Sequence, residues 1–248
     1  LHAWLDTPLG RYVMNWEAAR FDVLVADIFG YNAVQLGVPE FDFLRANRMP
    51  FRFRAGAGDV LVETDYAALP FAAGSVDLVV LPHVLEFAAN PHQVLREVER
   101  VLVPEGHVVI AGFNPVSLFG LKRMLAGEDG GYPWHGQYLS TRRLKDWLAL
   151  LSFDTASQAS GCFVPALAQQ TWIDRLGCLD QAGERWWPIG GGVYIIHAIK
   201  RVHSMRLIMP KWDRKARARS LAPLIQKTGG PAKGPSQKTT DERNFGRD

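Results

Sequence analysis

The reading of the fold rests on residues 59–118, DVLVETDYAALPFAAGSVDLVVLPHVLEFAANPHQVLREVERVLVPEGHVVIAGFNPVSL. They open with an alternating run, residues 60–64, closed by Asp65, and pass through a Leu69-Pro70-Phe71 turn. Two more apolar runs follow, residues 76–81 and 108–113, with a helical pattern between them. Short apolar runs bounded by turn or helix signals read as strands buried on both faces of a parallel sheet. Asn90-Pro91 marks the helix start, a capping side chain before a proline at the first helical position. Val94, Leu95, Val98, Val101 and Leu102 recur at spacings of three and four, which makes one apolar face. Pro104 and Gly106 are expected to end the helix. Strand, crossover helix, strand is the βαβ unit, so the spacing predicts an α/β fold.

The ordered set is more specific than any one of its parts. Asp65 stands before Ala68-Leu69-Pro70-Phe71, then come Ser75-Val76-Asp77-Leu78-Val79-Val80, His83-Val84-Leu85-Glu86, the helix 94–102 and Pro104-Glu105-Gly106. This series resembles the class I S-adenosylmethionine-dependent methyltransferases, in the type-11 group that includes ubiquinone and menaquinone biosynthesis enzymes. The resemblance is strong over about a quarter of the chain and looser over residues 30–202. It implies a doubly wound, Rossmann-like mixed sheet, S-adenosylmethionine as cofactor and methyl transfer to a small or medium-sized acceptor. It also implies a cofactor site built from Leu36 and Gly37, Asp65 and Tyr66, and Leu81 and His83, with Asp65 on the adenine amino group. Asn114-Pro115 is similar to a pair in amino-group methyltransferases but follows the wrong strand, so it is read as a substrate-side loop.

Composition bounds the rest. A chain of 248 residues fits one large domain and a tail. No apolar run is long enough to span a membrane, and the start shows no basic region leading into an apolar stretch. Two cysteines, Cys162 and Cys178, cannot build a disulfide framework or a zinc site. A cytoplasmic protein is the expectation. Charge is uneven: residues 203–248 hold eleven Lys/Arg and four acids, so the remainder of this +3 chain carries about −4. That tail, rich in Gly, Pro, Ser and Thr, is expected to be disordered. It is read as a solvated tail, with nucleic acid or an anionic surface as the alternative partner.

From the N-terminus, residues 16–28 read as an amphipathic helix ended by Gly30, giving an N-terminal segment 1–29 ahead of a domain 30–202. Residues 31–37 form the first strand and its exit. In a doubly wound sheet, ligands bind outside the carboxyl ends of strands at the switch point, which places Gly37 beside the cofactor. The likeness weakens there: Gly37 is followed by Val38-Pro39-Glu40 where the family has further glycines. The second strand, residues 49–54, is followed by Ala-Gly-Ala-Gly where the family has an acid for the ribose. Only 21 residues, 38–58, separate the first strand from the Asp59 strand, so one crossover helix is expected to be absent.

Residues 119–138, which include Tyr132, Trp134, His135 and Tyr138, are read as a lid over the acceptor, with Tyr132 and Trp134 on the substrate side. Ser140 caps a helix carrying Leu144, Trp147, Leu148 and Leu151. Residues 153–162 form a strand, 165–179 a helix and 192–202 the last strand, which completes seven. Each singled-out residue has an alternative. Asp65 also suits a turn cap, and His83 either contacts the methionine portion, acts as a base, or is bonded within its loop. Glu86 reads as a structural residue opening a short helix, His197 as core, and Trp186-Trp187 as packing. Two functions stay open: a methyltransferase with no conspicuous catalytic residue, and a methyltransferase fold kept as a binding or regulatory module.

Overall fold

Among the described residues, seven strands and five helices follow from the local rules above, and the sheet order brings the ends of two distant strands together. The computed structural model describes residues 2–126, 131–165 and 189–202, with 180, 183 and 187. The chain divides into two units, Leu1–His203 and Ser204–Asp248, and everything below concerns the first. Expectations for the tail, for most of 165–179, and for Trp186 and Cys178 lie outside the described residues.

The described elements are α1 (His2–Leu5), α2 (Pro8–Ala26), β1 (Asn32–Leu36), β2 (Phe51–Gly56), β3 (Val62–Glu63) and β4 (Val76–Pro82). After them come α3 (Pro91–Val101), β5 (Leu102–Phe113), α4 (Leu118–Ala126), α5 (Thr141–Leu150), β6 (Phe153–Gly161) and β7 (Val193–Lys200). The sheet order is β3-β2-β1-β4-β5-β7-β6. Pairs from β3 through β5 are parallel, while β7 runs antiparallel to both β5 and β6. This is the expected doubly wound mixed sheet.

Each face of the sheet has its own core. Over one face, α2 lays Leu9, Val13, Met14, Phe21 and Val25 against Ala33, Leu78, Val80, Val109 and Ile195. Over the other, Val94, Leu95, Val98 and Val101 of α3 and Leu144 and Leu148 of α5 cover Val34, Val79, Leu81, Val108 and Ile110. Alternate residues of β1, β4 and β5 thus serve opposite faces, as the pleat requires. Central strands with two covered faces read as continuous apolar runs for this reason.

The boundaries differ from expectation in several places, β2 among them, at 51–56 and not 49–54. α2 starts at Pro8, eight residues before Trp16, because Thr7 accepts from the Gly10 amide and Pro8 takes the first turn. Its cap is Asp27; Gly30 is small for another reason, since a Cβ there would sit 2.5 Å from Asp77. α3 ends at Val101, and Pro104-Glu105-Gly106 forms a bulge inside β5, between the pairings Val76–Leu102 and Leu78–His107. β3 keeps two residues of the five expected, because the positive φ of Gly56 and Gly58 turns the chain away from β2. No helix lies in the described connections β1–β2 or β2–β3, one more than the single absence expected.

Gln35 fills the role of the absent helix after β1. Its buried side chain donates to the carbonyls of Gly37, Val38 and Phe41 and accepts from the Phe43 amide at 2.9 Å. One amide therefore fixes the chain leaving β1 as a compact loop, tying three of its carbonyls and one of its amides.

Candidate cofactor and acceptor site

The strand order reverses between β1 and β4: from β1 the sheet continues to β2, and from β4 to β5. A cleft of about 360 Å³ opens there, at the carboxyl ends of both strands, where an open α/β sheet takes its ligand. Gly37 and Val38 line it from the β1 exit, Pro82, His83 and Val84 from the β4 exit, and Tyr66 from the turn after β3. Phe87 and Ala88, with Tyr132 and His135, close the remaining side.

Two lining residues hold backbone conformations that L residues rarely adopt: Val38 at φ 45° and His83 at φ 52°. A β-branched residue in that region is a strained exception, and such strain gathers at functional sites. Gly37, at φ 87°, is needed for close approach: a Cβ there would lie 2.6 Å from Val84 Cγ2 and 3.2 Å from the Pro82 carbonyl.

Beneath the cleft lies a buried charge cluster. Glu17 of α2 meets His83 Nε2 at 2.7 Å, and Glu86 meets His83 Nδ1 at 3.2 Å. Glu86 Oε1 also accepts from the Phe113 amide at 2.6 Å, and the His83 ring stacks on Phe113 at 4.2 Å. Burial pulls the His83 pKa down, but the two carboxylates, Glu17 above all, outweigh it and the group is pushed up to about 10. His83 is therefore an imidazolium at neutral pH, with both nitrogens engaged. Tyr132 and Tyr138 are raised by burial and then by Glu86, so both stay phenols. Glu17 Oε2, Glu86 Oε2 and the Tyr138 hydroxyl are buried with no hydrogen-bond partner among the described residues.

Of the residues expected to form the site, Gly37, Tyr66, His83 and Tyr132 meet in this cleft. Leu36 and Leu81, the residues before Gly37 and Pro82, are fully buried in the core and do not line the cleft. Asp65 is exposed beside Tyr66, and its Oδ1 accepts from the Ala67 amide at 2.9 Å. Asn114 donates to the carbonyls of Ile189 and Gly191 and accepts from the Val116 amide, which pins a turn away from the cleft. Trp134 faces α4, with Lys122 over its ring at 4.6 Å and Phe119 at 6.0 Å. Glu86 opens no helix: residues 85–87 form a turn, because its carboxylate is drawn inward to His83 and Phe113. His197 is half-buried and bonded to His107 at 2.8 Å.

Sequence reasoning missed Glu17, Val38 and Phe87. A signal existed for Glu17, an acid on the apolar face of α2 between Met14 and Phe21. None marked Phe87, whose ring stacks on Tyr132 at 4.6 Å and packs on His135 at 5.1 Å to form an aromatic wall.

S-adenosylmethionine fits this cleft in most respects. Gly37 lets the β1 exit close on the β4 exit, and Tyr66 offers an aromatic face beside it. The end of β2 runs Ala55-Gly56-Ala57, so no carboxylate is supplied there for the ribose; Asp59 lines a separate surface cleft with Arg52 and Arg54.

Comparison with known proteins agrees with the geometry. The family profile described as "Methyltransferase domain" matches residues 42–110. The uncharacterised protein YafS of Escherichia coli K12 is 30% identical over 185 residues, which cover 71% of this chain and 77% of that protein. A malonyl-[acyl-carrier protein] O-methyltransferase of Laribacter hongkongensis is 34% identical over 95 residues, 38% of this chain and 32% of that enzyme. Among solved structures, a possible histamine N-methyltransferase of Thermotoga maritima matches with a TM-score of 0.53 at 16% identity, over 77% of this chain and 97% of that one. A geranyl diphosphate methyltransferase in complex with S-adenosylmethionine gives 0.53 at 15% identity, over 81% and 95%. At such identities the solved structures share the fold alone. Taken with the relative that spans most of both chains, they put this protein in the class I S-adenosylmethionine-dependent methyltransferases, type-11 group, with S-adenosylmethionine as its cofactor.

Proposed function

We propose that the chain transfers a methyl group from S-adenosylmethionine to a small or medium-sized acceptor held between His83 and the aromatic wall of Phe87, Tyr132 and His135. The observation that supports this best is the cleft itself: it sits at the switch point, lined by Gly37, Tyr66 and His83. When bound, the cofactor supplies an electrophilic methyl group. The residues of the chain do the positioning. Gly37 and Val38 receive the methionine part at the β1 exit, and Tyr66 packs on the adenine end. Asp65, at the rim, offers the adenine amino group the oxygen that Ala67 leaves unused. His83 has no nitrogen to spare for taking a proton from the acceptor, so its role is to hold the β4 exit in its strained conformation. In-line displacement needs proximity and exclusion of water more than an acid or base. The aromatic wall supplies both.

The plain end of β2 and the single glycine after β1 favour a second reading, a binding module without turnover. Calorimetry with S-adenosylhomocysteine separates the two. The methyltransferase reading expects saturable binding below millimolar ligand, and no heat at millimolar ligand would overturn it in favour of the module.

A further inference from the structure

Three oxygens of the buried cluster and the segment beside it have no hydrogen-bond partner among the described residues: Glu17 Oε2, Glu86 Oε2 and the Tyr138 hydroxyl. A buried oxygen left unpaired bears the full cost of desolvation, so each such atom calls for an explanation. Charge sharpens the point. His83 offers one positive charge to two carboxylates, and the ion pairs of Glu17 and Glu86 both end on its ring. The three side chains are at most 1% exposed, so one negative charge in excess lies out of water. A net charge held in so dry a place favours a partner of opposite sign.

Tyr132 joins these oxygens to the cleft. Its ring lines the cleft and stacks on Phe87 at 4.6 Å. Its phenol is raised by burial first and then by the charges of Glu86 and Glu17, so their field reaches a residue of the cleft wall. The Gln137 amide donates to the Glu86 carbonyl at 2.8 Å, which straps the segment carrying Tyr132 and Tyr138 to the turn carrying Glu86. Aromatic rings surround the junction. Tyr138 and His83 stack on Phe113 at 5.1 Å and 4.2 Å, and Trp4 packs edge-on against Phe113 and Tyr132. Arg123 packs on Tyr138 and donates to the Gly136 carbonyl at 2.5 Å. Aromatic faces beside unpaired carboxylate oxygens are the surroundings that a desolvated ammonium group prefers. A hydroxyl of the same shape donates a hydrogen bond but brings no charge to balance the excess.

We propose, resting on the methyl-transfer reading, that the acceptor carries an amine bound as its ammonium, and that Glu17, Glu86 and Tyr138 are the residues that select it. The ammonium enters along the wall of Phe87 and Tyr132 and donates to the carboxylate oxygens and the Tyr138 hydroxyl. Its role is anchorage, since an ammonium has no lone pair to receive a methyl group.

The test is calorimetry on the full chain saturated with S-adenosylhomocysteine, titrated with 2-phenylethylamine and with 2-phenylethanol as its uncharged counterpart. Neutral pH is used, where an alkylammonium stays charged as lysine does. The amine is expected to bind about tenfold more tightly than the alcohol. Glu86→Gln keeps an acceptor for His83 and for the Phe113 amide, and should weaken the amine about ten- to hundredfold but the alcohol little. Tyr138→Phe should weaken the amine about three- to tenfold while the thermal midpoint holds or rises, because an unpaired buried hydroxyl is removed. A merely structural Tyr138 would give the reverse, a lower midpoint with amine binding unchanged, and that result overturns its part in the site. Amine binding no tighter than the alcohol's, or equal in wild type and Glu86→Gln, overturns the proposal and leaves the methyl-transfer reading standing. Weaker binding of S-adenosylhomocysteine itself by Glu86→Gln overturns it in favour of the cofactor's own ammonium. No binding of S-adenosylhomocysteine to the wild type overturns both readings together.

Discussion

Replacing Glu17 by Gln tests the charge cluster under the cleft most sharply. The amide keeps an acceptor for His83 Nε2, which Glu17 meets at 2.7 Å, and removes the charge that does most to hold the ring protonated. In the folded wild type the imidazole pKa is raised from 6.5 to about 10. A group raised in this way adds stability that is complete below its unfolded pKa, near 6.5, and fades as pH climbs through the folded value. With a pKa of about 10, a few kcal/mol should disappear as pH climbs from about 6.5 towards the folded value. That matches the ~3–5 kcal/mol at stake when a buried pair loses one partner. For a domain of this size it corresponds to a fall of about 10 °C in midpoint. Glu17→Gln leaves Glu86 alone to raise the ring, so the fall over the same window should shrink. Thermal unfolding of both proteins across the window reads the difference, because every other titration is common to them. Parallel curves would refute the reasoning: Glu17 would then not be what keeps His83 charged.

Three other outcomes are expected. Asp65→Asn keeps the acceptor for the Ala67 amide but loses the charge, so calorimetry with S-adenosylhomocysteine should show a ten- to hundredfold weaker fit at unchanged midpoint, and equal affinity would remove Asp65 from the site. Gly37→Ala brings a Cβ to 2.6 Å from Val84 at φ 87°; a stability loss of about 1–3 kcal/mol in denaturant melts, with binding lost, is expected, and a neutral result would contradict the close approach of the two strand ends. Arg100→Met removes donors to the carbonyls of Leu69 and Phe71 and the pairing with Glu97; with the guanidinium partly exposed, about 1–2 kcal/mol should be lost in the same assay, and no loss would mean the turn holds itself.

The Arg100 contacts also explain why the fold was legible. The Leu69-Pro70-Phe71 turn and the helix 91–101 look like separate motifs in the sequence, yet Arg100 ties them by two carbonyls while Glu97 accepts from the Leu69 amide. Local signals worked where structure is local: Asn90, Ser140 and the apolar runs of β4 and β5 stand where their chemistry places them. They failed where a residue's partner is remote in the chain. Glu17 and His83 are 66 positions apart, and no spacing rule joins a helix face to a strand exit. The span of β2 was misread because Ala55 and Gly56 carry turn chemistry but sit in the ladder beside Leu36 and Glu63. Trp134 and Asn114 drew notice as residue types that bind ligands; packing against α4 and three backbone bonds absorb them instead.

The two connections without helices leave one flank of the sheet thin. β3 is a two-residue edge strand, and Phe51 of β2 and Leu61 are exposed. β4, β5 and β7, by contrast, are packed on both faces. Amide hydrogen exchange should therefore be graded across a single sheet. The amides of β2 and β3 open by local fluctuation and exchange early, while those of β4, β5 and β7 wait for global unfolding. Tyr66, which lines the cleft from the turn after β3, belongs to the early set and His83 to the late one. A ligand lying across both would slow exchange mainly on the thin flank, so part of its binding free energy goes into ordering that edge.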